Sequence, residues 1–241
     1  MSRSRIVLAV VALVALAGLV APASAVSPRA AAAPVTGRCY NLSFTQIYPM
    51  SSSVASVPCS DKHTTKTYYV KNVPTNVDYK NITAAAMAKV GFGTCEPKFE
   101  TTLGSTPENR HLTAYDFIFF APTAAQRAAG ARWVRCDLIL AGGKSLRALT
   151  TDTVPVIQGE ITDATKRCLV TTDHLYTTCA GVHSYRSSAA YTLPGTLYRT
   201  NAQFVAKGEQ LCPTAEYFTW PGKLGWDIGD HVLVCYDRTA S

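Results

Sequence analysis

Pro122–Cys136, PTAAQRAAGARWVRC, and Pro221–Cys235, PGKLGWDIGDHVLVC, decide how this chain is organised. A proline, a glycine and a cysteine fall at matching places in both stretches, at one constant offset of 99 and with no gap. The match continues upstream. Arg38-Cys39 recurs as Arg167-Cys168, and Cys59-x3-His63 recurs as Cys179-x3-His183. Cys95 and Cys212 complete the two sets, so four cysteines follow in the same order twice. Repetition of this kind marks a duplicated unit. The expected organisation is copy one over residues 37–150, a linker over 151–165, and copy two over 166–241.

The copies differ in length. The first two cysteines are 20 positions apart in copy one and 11 in copy two, and the last two are 41 and 23 apart. Loops change length at small entropic cost, so the extra residues are expected in surface loops. In copy one, Tyr68-Tyr69-Val70 has strand character, and Ala84–Val90 favours helix with Asn81 as a cap. Gly91 and Gly93 should interrupt that helix before a second piece carrying Cys95 and Phe99. Tyr115–Phe120 and Trp133–Leu140 read as strands, with a turn or short helix at 122–129. In copy two, His231–Tyr236 reads as the closing strand. The linker offers an edge strand at Val154–Ile157, although Pro155 excludes a central one. The fold class is therefore α+β: two tandem small disulfide-stabilised domains, each a few antiparallel strands with one or two helices.

The front of the chain reads as a signal peptide over residues 1–25. Arg3 and Arg5 precede the apolar run Ile6–Val20, and Ala23-Ser24-Ala25 has the small residues that a signal peptidase reads. The alternative, an uncleaved anchor, is disfavoured because the run is shorter than the ~20 residues that span a bilayer. Residues 26–36 form a flexible, small-residue spacer. Loss of Arg3 and Arg5 lowers the formal charge from +7 to +5. Such a balance suits an anionic surface such as a cell wall or lipid headgroups, and the plainer reading, a solvated basic surface, is preferred to it. No nucleic-acid signature accompanies it, and no membrane anchor is expected after cleavage.

Cys39, Cys59, Cys95, Cys136, Cys168, Cys179, Cys212 and Cys235 are an even set behind a signal peptide, which implies disulfides. The simplest scheme pairs neighbours within each copy, although four cysteines allow three connectivities. Zinc is the rival reading, because each Cys-x3-His could give two ligands, but no C-x2-C pair occurs. Neither a metal nor any other cofactor is expected.

Catalytic signatures are missing: no G-x-S-x-G, H-E-x-x-H or S-x-x-K occurs. His63 and His183 are candidate ligand-binding residues because they recur. Their other reading is structural, as histidines that hydrogen-bond backbone at a strand start. Asp173-His174 and Asp230-His231 place acids beside histidines, but neighbours on a strand face opposite ways. Glu96, Glu100, Glu209 and Glu216 show no pairing in sequence. Tyr217, Trp220 and Trp226 could stack on sugars or fill a core.

The pattern Arg-Cys, then Val57-Pro58-Cys59-x3-His63, Cys95, Pro122 and Gly130-x-Arg132-x3-Cys136 resembles the septum formation family of actinobacteria. Copy two is similar to it through Cys179-x3-His183, Cys212 and Trp226-x2-Gly229-x-His231-x3-Cys235. The chain departs from that pattern where an acid is usual three residues after the histidine: Lys66 and Arg186 stand there. The resemblance implies an exported envelope protein connected with septation and with no established reaction. The expected function is a non-catalytic envelope protein, outside the cytoplasmic membrane, that binds an anionic wall polymer or an envelope protein. The alternatives are a wall hydrolase using His63 or His183, and a structural extracellular protein.

Overall fold

The computed structural model describes residues 32–149, 153–171 and 175–239. The expected signal peptide lies outside the described residues, as do Asp173 and His174. The first half contains β1 (Cys39–Tyr40), β2 (Thr65–Asn72), α1 (Ala84–Leu103), α2 (Pro107–His111), β3 (Tyr115–Phe120), α3 (Ala124–Ala128), β4 (Trp133–Ala141) and β5 (Leu146–Arg147). Its antiparallel sheet runs β1-β2-β4-β3, with β5 also on β4. The second half contains β6 (Arg167–Leu169), β7 (Tyr176–Thr178), β8 (Tyr185–Thr192), α4 (Asn201–Leu211), β9 (Tyr217–Thr219), α5 (Lys223–Asp227) and β10 (Val232–Arg238). Its sheet runs β7-β6-β8-β10-β9. The shared part of the two orders is the same. An isolated bridge from Val57 to Cys39 stands where β7 stands beside β6. The α+β class with four disulfides is thus the observed one.

The central strands explain the cores. β4 is buried along nearly its whole length, as a strand between two neighbours must be. Arg135 and Asp137 interrupt its apolar run and pair with one another. Their ion pair is 2.8 Å long, and Thr67 donates a 2.7 Å hydrogen bond to Asp137. The Arg135 guanidinium lies 4.2 Å from the centre of the Tyr40 ring and 4.5 Å from that of Phe120. At the offset of 99 these two positions become Val234 and Tyr236, both buried in β10. The second half therefore fills the same place with apolar bulk.

Bridges tie the longest helix of each half, α1 and α4, to its sheet. Cys95 pairs with Cys136 and Cys212 with Cys235, while Cys39–Cys59 and Cys168–Cys179 close the shorter loops. All four lie within one half, in the neighbour scheme.

Helix α1 differs from expectation. Its cap is Thr83, whose hydroxyl accepts from the amide of Ala86, whereas Asn81 bonds Asp78. The helix also runs unbroken through Gly91 and Gly93 to Leu103. Gly91 serves packing: a Cβ there would sit 2.5 Å from the Phe119 ring. Gly208 of α4 faces Phe218 in the same way, at 2.1 Å. Both glycines stand four residues before the helix-bound cysteine, and the two phenylalanines are 99 apart. Each half thus lays an edge-strand ring directly on helix backbone.

Two further expectations are corrected. Val154–Ile157 forms no strand. The amides of Val156 and Ile157 instead donate to the carbonyls of Thr102 and Leu103, groups that a helix end leaves open. The extra length of the first half is not all surface loop either. Between Cys95 and β3 it forms the last two turns of α1 and the whole of α2, and α2 packs on β8 and β10 of the other half.

Candidate functional site between the two sheets

Backbone hydrogen bonds stitch the halves together. Thr113 bridges Lys166, the amide of Ala114 donates to Thr165, and that of Arg167 donates to Leu112. Farther on, the amide of Gly143 donates to Tyr176. Arg167 also turns its side chain into the seam, where Nε donates to the Thr113 carbonyl at 2.8 Å and the guanidinium lies 4.4 Å from the centre of the Tyr176 ring. Its counterpart in the repeated Arg-Cys pair, Arg38, is exposed. The same dipeptide therefore has two roles.

Helix α2 brings charge to this seam. His111 places Nδ1 2.9 Å from the Pro107 carbonyl and Nε2 3.0 Å from Asp230. Both ring nitrogens face acceptors. Arg110 pairs with Glu100 at 2.7 Å and donates to the Ser105 carbonyl. Glu108 bonds Thr192 of β8.

These groups enclose a cleft of about 120 Å³. Three carboxylates face it, two raised by burial and one held low. Burial pushes the Glu96 carboxyl up to about 8, reinforced by Asp230, Asp116 and Glu100 and opposed by Arg110. Burial also raises Asp116, against the pull of Arg167 and the Phe117 amide. Burial alone would raise Asp230 as well, but the hydrogen bond and charge of His111 hold it below the usual range. Chemically, the cleft offers a proton-holding carboxyl beside an ionised one, which suits cation binding or proton donation.

The histidines singled out in sequence lie elsewhere. His63 is buried and its Nδ1 lies 2.8 Å from the Asp61 carbonyl. His183 repeats the contact at 2.7 Å to the Gly181 carbonyl. Each ring thus braces the turn before β2 or β8. His183 nears Cys168 and Cys179, yet both sulfurs are bridged and neither offers the thiolate that zinc prefers. Arg186, at the position where the family pattern has an acid, pairs with Asp163. His231 bonds the Trp226 carbonyl, so Asp230 and His231 point to different partners. Trp226 is buried in the second core, and Trp220 stacks on Phe204.

Sequence reasoning missed the seam. Glu96 was visible only as an unpaired acid and Asp230 only as the neighbour of His231, while Arg110, His111 and Asp116 stood out in no motif. One signal was available: Glu96, Glu100, Arg110 and His111 all lie in the stretch by which copy one exceeds copy two.

A second hollow, about 480 Å³, lies where β5 and its turn meet the second half. Lys144 and Arg147 line it and are exposed, and no acid is among the described residues that line it. No helix of the described residues is long and apolar enough to cross a membrane.

Neither a curated protein nor a solved structure matches the chain. The family model for septum formation does match, in one span over residues 36–235 that takes in both sheets and the seam between them. The chain belongs to the septum formation family.

Proposed function

We propose that this is an exported protein of the cell envelope that serves septum formation by binding an anionic wall polymer, without catalysis of its own. The signal-like segment at residues 1–25 and the four bridges support work outside the cytoplasmic membrane, where disulfides persist. In the same reading the chain is a duplication, with one copy over 37–150 and the other over 166–241. The observation that carries the choice of partner is the hollow holding Lys144 and Arg147, on a body whose charge after loss of the signal is +5. Exposed cations of this kind attract a polyanion over a distance set by the ionic strength.

The test is co-sedimentation of the mature protein with purified cell wall, before and after its anionic polymers are stripped. Binding that weakens with salt, needs the polyanion and falls in Lys144→Glu/Arg147→Glu supports the proposal. Equal binding to stripped wall, or by the double variant, overturns it.

A further inference from the structure

The basic hollow leaves the seam cleft without an assigned role, and the composition of its walls is specific. Arg110 is committed to Glu100, and Arg167 gives Nε to a carbonyl while lying over Tyr176. Asp230 is likewise committed to His111, so the acids Glu96 and Asp116 are left against the one base Arg167. Among the described residues the Glu96 side chain takes no hydrogen bond and no ion pair, and Asp116 accepts only the amide of Phe117. Much of the rest of the wall is aromatic, with Phe99, Phe117, Tyr176 and Trp220, and Thr219, Pro221, Val232 and Val234 complete it. Carboxylates combined with aromatic faces are the surroundings that stabilise an organic cation.

We propose that the seam cleft is a binding site for a primary ammonium group carried on a short alkyl chain. Size limits the chain: a hollow of about 120 Å³ takes an amine end of about four to six non-hydrogen atoms. Two of its N–H donors match Glu96 and Asp116, while the alkyl stem lies against the rings. Among the described residues, these acids do not bring three ligand atoms within 4.8 Å of one another, so two carboxylates and not three would hold the ammonium. The site goes beyond polymer binding at Lys144 and Arg147 and stands independently of it.

Proton linkage gives the proposal a signature. Glu96 faces Asp230, Asp116 and Glu100, with Arg110, His111 and Arg167 as the opposing charges. Burial keeps its proton on up to about pH 8 in the empty cleft. An ammonium ion must displace that proton, so affinity rises with pH by up to about tenfold per unit below that value.

The experiment is calorimetric titration of the mature protein with n-butylammonium, with n-butanol and butyrate as controls. Two further arms separate the sources of an amine. One uses a lysine-containing peptide, the other the same peptide with its side-chain amine acetylated. The expected result is saturable binding of butylammonium alone among the small probes, weakened about tenfold or more in Asp116→Asn. Glu96→Gln should abolish the pH slope, and Glu209→Gln on the exposed face of α4 should change nothing. Thermal melts of each variant identify those that remain folded. Binding by the lysine peptide but not its acetylated form assigns a peptide source, and binding of the free amine alone assigns a small metabolite. No saturable binding of any amine by the folded wild type, or equal binding of butanol, overturns the proposal.

Discussion

Replacing Gly91 by alanine sets two effects of known size against each other. Alanine in a helix interior is favoured over glycine by about 1 kcal/mol. Against that, the new methyl carbon would lie 2.5 Å from the Phe119 ring, where ordinary contact begins near 3.4 Å. The ring must retreat by about 1 Å, and it is held by Phe92, whose centroid is 5.4 Å away. Overpacking of this kind costs about 1–3 kcal/mol. The net expectation is a loss of about 1 kcal/mol for Gly91→Ala, and a larger loss for Gly208→Ala, where the ring lies at 2.1 Å. Urea unfolding under oxidising conditions measures both. In Gly91→Ala/Phe119→Leu the smaller side chain should recover part of the loss, a coupling of about 1 kcal/mol in the double-mutant cycle. A Gly91→Ala protein that is more stable than wild type, as helix propensity alone demands, would refute the close helix-to-ring packing.

Loss of a bridge should scale with the loop it closes. Cys95→Ala/Cys136→Ala, with a 41-residue separation, should cost about 4 kcal/mol, and Cys168→Ala/Cys179→Ala, with 11, about 3 kcal/mol, both by calorimetric melting. His63→Ala and His183→Ala should each cost about 1–2 kcal/mol through the lost carbonyl contact. Neither should remove any turnover of peptidoglycan or ester substrates shown by the wild type. The seam acids give opposite pH effects. Glu96 holds its proton more tightly folded than unfolded, so its contribution is complete below its ordinary value of 4.5 and is lost as pH rises to about 8. Glu96→Gln should flatten stability across that window. Asp230 is depressed, so its contribution is present above its ordinary 3.8 and is lost as pH falls, and Asp230→Asn should remove that loss from an acid titration followed by fluorescence.

Local pattern and repetition carried the strands and the bridges. Tyr115–Phe120 is the strand its aromatic run suggests, and the four bridges join neighbours in sequence, where loop closure is cheapest. Glycine misled because propensity treats it as a helix breaker, whereas Gly91 and Gly208 are places where a ring meets backbone. The seam was hidden for a different reason. His111 and Asp230 are 119 positions apart, and nothing periodic or repeated links them. The repeat even pointed away from it, since the groups that α2 contributes belong to one half alone.

Non-reducing peptide mapping of the protein recovered from outside the cells tests export and the bridging of the two halves in one measurement. The expected map has an N-terminus at Val26, no free thiol, and the bridges Cys39–Cys59, Cys95–Cys136, Cys168–Cys179 and Cys212–Cys235. A free thiol, a bridge joining the two halves, or a chain that keeps Met1 and stays inside the cell would contradict it.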